Sequence, residues 1–151
     1  MNAALPRLLG FVAAIAVALT APVQASAPAG RYTIAAGTVY DTKTKLTWQQ
    51  ATPSTTYSWA GAKTYCAGVG ASLGGTGWRL PTIKELLTLV DHSLSLNPTI
   101  DSVAFPDTSS TVYWSSTPVL NSPSGAWGVL FYSGLGETYI ASNLYSARCV
   151  R

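Results

Sequence analysis

His92 is the single histidine of the chain, so any Ser/His/Asp chemistry would have to pass through it. It falls where a helix is expected to end, a place where a cation meets the helix dipole favourably and needs no catalytic role. Ser115 and Ser116, in "YWSSTP", have nucleophilic side chains, but neither a base nor the strand-turn-helix elbow that exposes a reactive serine stands beside them. Hydrogen bonding at a strand end is their expected role. Arg79 and Glu85 are the remaining charged pair of interest. Their environments offer no opposed acid and base, and the chain is expected to be non-enzymatic.

The densest group of oxygen ligands is Asp91, Asn97, Asp101 and Asp107. Converging from one loop, such a group would bind calcium, the one cofactor the sequence makes worth considering. The spacing matches no EF-hand, and Asn and Asp beside Pro98 and Pro106 ordinarily cap turns. Turn capping is the default expectation and calcium the alternative.

Aromatic residues are more distinctive, with five Trp and eight Tyr. Trp48, Trp78, Trp114 and Trp127 sit in patterned segments and are expected in the core. Tyr57, Tyr113, Tyr132, Tyr139 and Tyr145 are less constrained, and those of them on the solvent face of late strands are the candidate binding surface, where amphipathic rings make platforms for sugars or partner proteins.

These residues need a frame. The chain has 151 residues, 48% of them hydrophobic and 10% charged, which suits one compact domain and excludes a disordered chain. Residues 1–25 read as a signal peptide: Arg7, an apolar run of about a dozen residues, short of the roughly 20 that span a bilayer, then small residues around Ala25. A permanent membrane anchor is not expected. Losing Arg7 would lower the formal charge from +3 by one, too weak a bias for nucleic-acid binding. Cys66 and Cys149 are the only cysteines. In an exported chain an even count points to a disulfide, with two buried free thiols as the alternative.

Residues 26–36 read as a linker and first strand, and alternation through "YDTKTKLTWQQ" continues the strand pattern with a turn at 41–44. "SWAGAKTYCAG" changes period to helical, with Ser58 as N-cap, Cys66 facing a core and Gly68 as the expected stop. Thr82 and Glu85 have capping-box spacing, Pro81 sets the direction into the helix, and Ile83, Leu86, Leu87 and Val90 form its apolar stripe. Glycines 74, 75 and 77 allow a tight loop from which Trp78 turns inward, while Arg79 pairs locally. Residues 92–112 read as a long irregular connection anchored by Ile100, Val103 and Phe105. Strands return around Trp114 and continue through "AWGVLFY", where Trp127, Val129 and Phe131 alternate, to a last strand in which Cys149 shares a face with Tyr145 and Ala147. The fold class is α+β: two short helices, antiparallel strands, a long irregular loop and one disulfide.

"GTVYDTKTKLTWQQ", "GGTGWRLPTIKELLTLVD", "NPTIDSVAFPDT", "YWSSTP", "AWGVLFYSG" and the terminal "RCVR" together resemble the bacterial Lcl C-terminal domain family over residues 37–151. The resemblance implies a C-type-lectin-like fold in which an early helix is tied by a disulfide to the last strand. It also implies an exported adhesin-like or lectin-like domain, periplasmic or secreted, that binds a glycan or an extracellular or envelope protein. The alternative is a structural subunit of a cell-envelope assembly with no soluble ligand. The Glu-Pro-Asn and Gln-Pro-Asp calcium triplets of sugar-binding C-type lectins are absent, and Trp114-Ser115-Ser116 stands where those lectins often carry Trp-Asn-Asp. Both departures count against calcium-dependent sugar binding.

Overall fold

The computed structural model describes residues 27–94 and 97–151; the expected signal peptide lies outside them. Among the described residues no helix is long and apolar enough to cross a membrane. Two small antiparallel sheets dominate. β1 (Tyr32–Ala35), β2 (Thr38–Asp41) and β3 (Thr47–Gln49) form the first, in that order, and β4 (Val112–Val119), β5 (Ser122–Leu130) and β6 (Leu135–Ile140) form the second. Between them in sequence come α1 (Trp59–Gly68), the single turn α2 (Gly70–Leu73) and α3 (Ile83–Leu87).

α1 begins as its sequence asks, with the Ser58 hydroxyl accepting the Gly61 amide at 3.2 Å. It does not stop at Gly68. Val69 keeps a right-handed backbone, and the chain adds α2 before Gly74, at φ 72°, ends it with a conformation that disfavours a side chain. α3 carries the full capping box at Thr82 and Glu85. It ends early, where the Thr88, Leu89 and Val90 amides turn to the carbonyls three residues back and the Thr88 hydroxyl joins its own amide on the Glu85 carbonyl at 2.6 Å. The apolar stripe is correspondingly cut short: Leu86 is buried, Leu87 is 37% exposed, and Leu89 fills the core beyond the helix end.

Two hydrophobic clusters result. One joins Val39, Trp48, Leu86, Ile100, Phe105, Tyr113, Val129, Phe131 and Val150. The other joins Ala62, Cys66, Trp78, Leu80, Trp114, Ala126, Ala147 and Cys149. The terminal segment runs between them, with Ala147 and Cys149 in the second cluster and Val150 in the first. Its backbone reaches both sheets and the loop before α3, since Val150 bridges Trp48 and Arg79 while Ser146 bridges Tyr113. Cys66 and Cys149 form a disulfide across a Cα separation of 5.2 Å, tying α1 to that segment.

Two core expectations are corrected. Val103 is 52% exposed, and Ala104 takes the buried place beside Ile100 and Phe105; the Asp101 carboxylate accepts the Val103 and Ala104 amides and turns the chain there. Trp48, Trp78 and Trp114 are buried, but Trp127 is half-buried and belongs to neither cluster.

Candidate functional site

Trp114, fully buried on β4, is the floor of an aromatic face. Tyr139 on β6 and Tyr145 on the terminal segment stand over it, with ring centroids 6.2 and 5.1 Å from the indole and 5.1 Å from each other. Backbone hydrogen bonds in both directions between Tyr57 and Tyr145, at 2.8 and 3.0 Å, draw the residue before α1 alongside. Tyr57 then stacks on Tyr65 of α1 at 4.8 Å. The Trp114 indole N–H donates to the Tyr57 carbonyl at 2.8 Å, locking floor to rim.

The three tyrosines of this rim, Tyr57, Tyr139 and Tyr145, are half-buried. Each offers a ring edge or face with a polar end, the combination that suits sugars and protein surfaces alike. The Tyr139 hydroxyl donates to Glu137 Oε2 at 3.0 Å, and Asn143 Nδ2 donates to the Tyr145 oxygen at 3.2 Å. Burial, then the Glu137 carboxylate, push the Tyr139 hydroxyl up to about 12, so it stays a donor throughout the physiological range. Nearby, Lys63 Nζ lies 3.5 Å over the Trp59 ring. A shallow groove of about 190 Å³ adjoins Tyr139, lined also by Ser122, Ser124, Thr138 and Ile140. That is below the ~300 Å³ at which small-molecule pockets begin, which favours recognition over a surface. A second shallow groove, of about 240 Å³, lies between residues 27–34 and Asp101, Val103 and Ala104, with no aromatic platform beyond Tyr32.

The structure brings Tyr139 and Tyr145 together and separates the other two expected tyrosines from them. Tyr132 is 59% exposed on the turn after β5, at the opposite end of the sheet from Ile140. Tyr113 is a correction: it is fully buried, packs edge-on against Phe131 at 5.1 Å, and shares a hydrogen bond of 3.0 Å with the Thr52 hydroxyl. Helices α1 and α3 both contact β4, so residues 112–115 are buried without alternation. The unbroken run "VYW" was the signal for a strand covered on both faces.

Of the residues weighed for calcium, the three carboxylates accept backbone amides. Among the described residues no group of three or more His, Cys, Asp or Glu could hold a metal ion. Asp91 accepts the amide and hydroxyl of Ser93, Asp101 caps the turn at residues 103–104 and accepts the Ala27 amide, and Asp107 accepts the Thr52 amide. Asn97 is exposed. Short carboxylates close on neighbouring backbone more readily than they converge on a shared point.

The residues expected to be structural hold the frame of this face. Trp78 is buried with its indole N–H on the Gly74 carbonyl at 2.8 Å. Arg79 forms a two-pronged pair with Glu85 at 2.7 and 2.8 Å. The Pro81 carbonyl accepts the Ser116 amide at 2.7 Å, fixing the start of α3 to β4. Ser115 is buried and donates to the Trp127 carbonyl at 2.7 Å. His92 is exposed beyond the end of α3.

Arg148 was missed. It is fully buried, donating to the carbonyls of Gln49 and Gln50 at 3.0 and 2.5 Å and to the hydroxyls of Thr52 and Thr108 at 2.8 Å each. Its guanidinium lies 4.5 Å over the Phe105 ring, and the Asp107 carboxylate stands 3.8 Å away.

The family model described as the Lcl C-terminal domain matches residues 37–151, from the start of β2 through the terminal segment. No curated protein matches the chain.

Proposed function

The chain belongs to the Lcl C-terminal domain family, and from that premise we propose that it is an exported, non-enzymatic binding domain. In this proposal the fold is C-type-lectin-like, the location periplasmic or secreted, and the ligand a glycan met by the face of Tyr57, Tyr139 and Tyr145. The observation that carries it is the pair of half-buried tyrosines, Tyr139 and Tyr145, over Trp114 with half-buried Tyr57 held beside them, Glu137 and Asn143 fixing two of the hydroxyls. Such a face offers rigid rings for the apolar faces of sugars and fixed polar groups for their hydroxyls. The disulfide, which persists in oxidising compartments, supports export.

The test is a glycan array probed with the processed chain, with and without EDTA. Binding is expected to survive EDTA, because none of the rim residues needs a metal. Tyr145→Ala is expected to weaken it by about tenfold or more, the effect of truncating a central aromatic anchor. Binding that EDTA abolishes, or that Tyr145→Ala leaves intact, contradicts the assignment of this face.

A second reading has its own support. Leu120, Ile140 and Leu144 are 87%, 61% and 63% exposed, on the β4–β5 turn, at the end of β6 and on the turn after it. These positions share one end of the second sheet, and clustered exposed apolar residues mark protein contacts. An envelope protein is then the ligand, the array stays blank, and Leu120→Ser with Leu144→Ser abolishes cross-linking to that protein in the native envelope.

A further inference from the structure

β6 is an open edge of the second sheet. It pairs with β5 alone, and among the described residues no isolated bridge reaches residues 135–140. The phase of its ladder follows from one bond, the Ala141 amide donating to the Ser124 carbonyl at 2.8 Å. Alternation in an antiparallel pair then turns the peptide groups of residues 135, 137 and 139 toward β5 and those of Gly136, Thr138 and Ile140 outward; the Ile140 carbonyl accepts the Asn143 amide at 2.9 Å, so at that end it is the amide that the edge offers. Natural edges are guarded by charged side chains, lysine above all, by proline, a bulge or a covering segment. "LGETYI" has neither lysine nor proline, its one charge, Glu137, is engaged by the Tyr139 hydroxyl, and its register with β5 is unbroken over all six residues. β4, by contrast, is covered on its outer side by the terminal segment through the Trp114 amide and the Ser146 carbonyl at 3.0 Å.

We propose that β6 pairs with β6 of a second copy of this chain, antiparallel about a two-fold axis at Thr138, joining two three-stranded sheets into one of six strands. The side chains select both the occupant and the register. With Thr138 opposite Thr138 of the second copy, the outward peptide groups of the two threonines face each other, and the Ile140 amide meets the Gly136 carbonyl. Glu137 then stands opposite Tyr139 of the second copy. Within one chain these two groups already share a hydrogen bond of 3.0 Å, and directly opposed residues approach closely enough for the same bond to form across copies. Ile140, 61% exposed, meets Gly136, where a side chain would point at Ile83 and Leu87. The isoleucine of the second copy fills that space against two apolar residues of α3. Sliding the register to set Glu137 opposite Glu137 places like charges face to face and loses both complementarities. The pairing stands whether or not the aromatic face binds a glycan.

Sedimentation equilibrium of the processed chain over a concentration series tests it. The wild type is expected to convert from monomer to dimer as concentration rises, with the amides of Thr138 and Ile140 exchanging more slowly as it does. Thr138→Pro removes an outward amide at an edge position that tolerates proline, and is expected to stay monomeric with an unchanged circular dichroism spectrum. A wild type that remains monomeric to about millimolar concentration, or a dimer that survives Thr138→Pro, overturns the proposal. Should the proline variant not fold, exchange in the wild type decides: the Thr138 and Ile140 amides unprotected in a dimer overturn it equally.

Discussion

A guanidinium with no exposed surface is tolerated where most of its donors are matched and its charge is faced by acceptors; in Arg148 both terminal nitrogens are matched, and only the buried Nε has no partner. Burial pulls its pKa down, with Tyr113 and Asp107 acting in the opposite direction. The fork spans two carbonyls at the end of β3 and just beyond it and two threonine hydroxyls from separate loops, a geometry that lysine does not reproduce. Arg148→Met is expected to lower stability by about 3 kcal/mol, since it strands buried acceptors, and Arg148→Lys is expected to recover little of that. Thermal melts of the three proteins check this, and a lysine variant melting with the wild type removes the case for the fork. Alternation along "YSARCVR" identifies the face shared by Ala147 and Cys149 but not the environment of Arg148. Period-two reasoning assigns the opposite face to solvent by default, whereas the opposite face here is a second core containing Phe105 and Tyr113. The same default placed Tyr113 on the surface. What was legible at this scale was chemistry that closes locally, such as the Thr82 and Glu85 cap; what was not was any residue whose neighbours come from both sides.

At the scale of elements, α3 has only five residues, too few to be helical on propensity alone. Its start is held by Glu85, whose carboxylate accepts both Arg79 nitrogens and the Thr82 amide. Arg79 first, and the Thr82 bonds after it, hold that carboxyl near 2 against an ordinary 4.5. A depressed folded pKa contributes stability that is full above the unfolded value and lost as pH falls toward the folded one. The domain should therefore lose stability between about pH 5 and pH 2. Asp41 acts in the same sense: burial raises its carboxyl, but Arg31 and the Lys43 and Thr44 amides outweigh burial and hold it low. Glu85→Gln keeps a capping acceptor and removes the charge. With the Arg79 side chain 46% exposed, the expected cost at neutral pH is discounted to about 1 kcal/mol, with a flatter melting temperature between pH 5 and pH 2. An undiminished slope in that variant places the acid sensitivity elsewhere, with Asp41 the next carboxylate to replace. The start of this element was readable because each partner lies within six residues. Its early end was not, because it depends on Thr88 closing on the last turn.

At the scale of the molecule, neither sheet is large enough to stand alone, since a sheet of only three strands buries little by itself. What makes them one body is the terminal segment, which sends alternate side chains into two cores and bridges β3, the loop before α3 and β4. The disulfide fixes that segment to α1 across 83 positions of sequence, so it closes most of the domain into one loop. Loop-closure entropy for that span is about 4 to 5 kcal/mol, comparable to the whole stability of a small domain. Cys149→Ala should therefore lower the melting temperature steeply, and it should do so as one transition, because the segment it loosens belongs to both cores. Circular dichroism for the backbone and tryptophan fluorescence for the cores, followed together, check the point. Coincident curves displaced to lower temperature are expected. Two separated transitions would mean that the sheets fold independently and that the terminal segment merely rests between them, and an unshifted curve would mean that packing alone holds it.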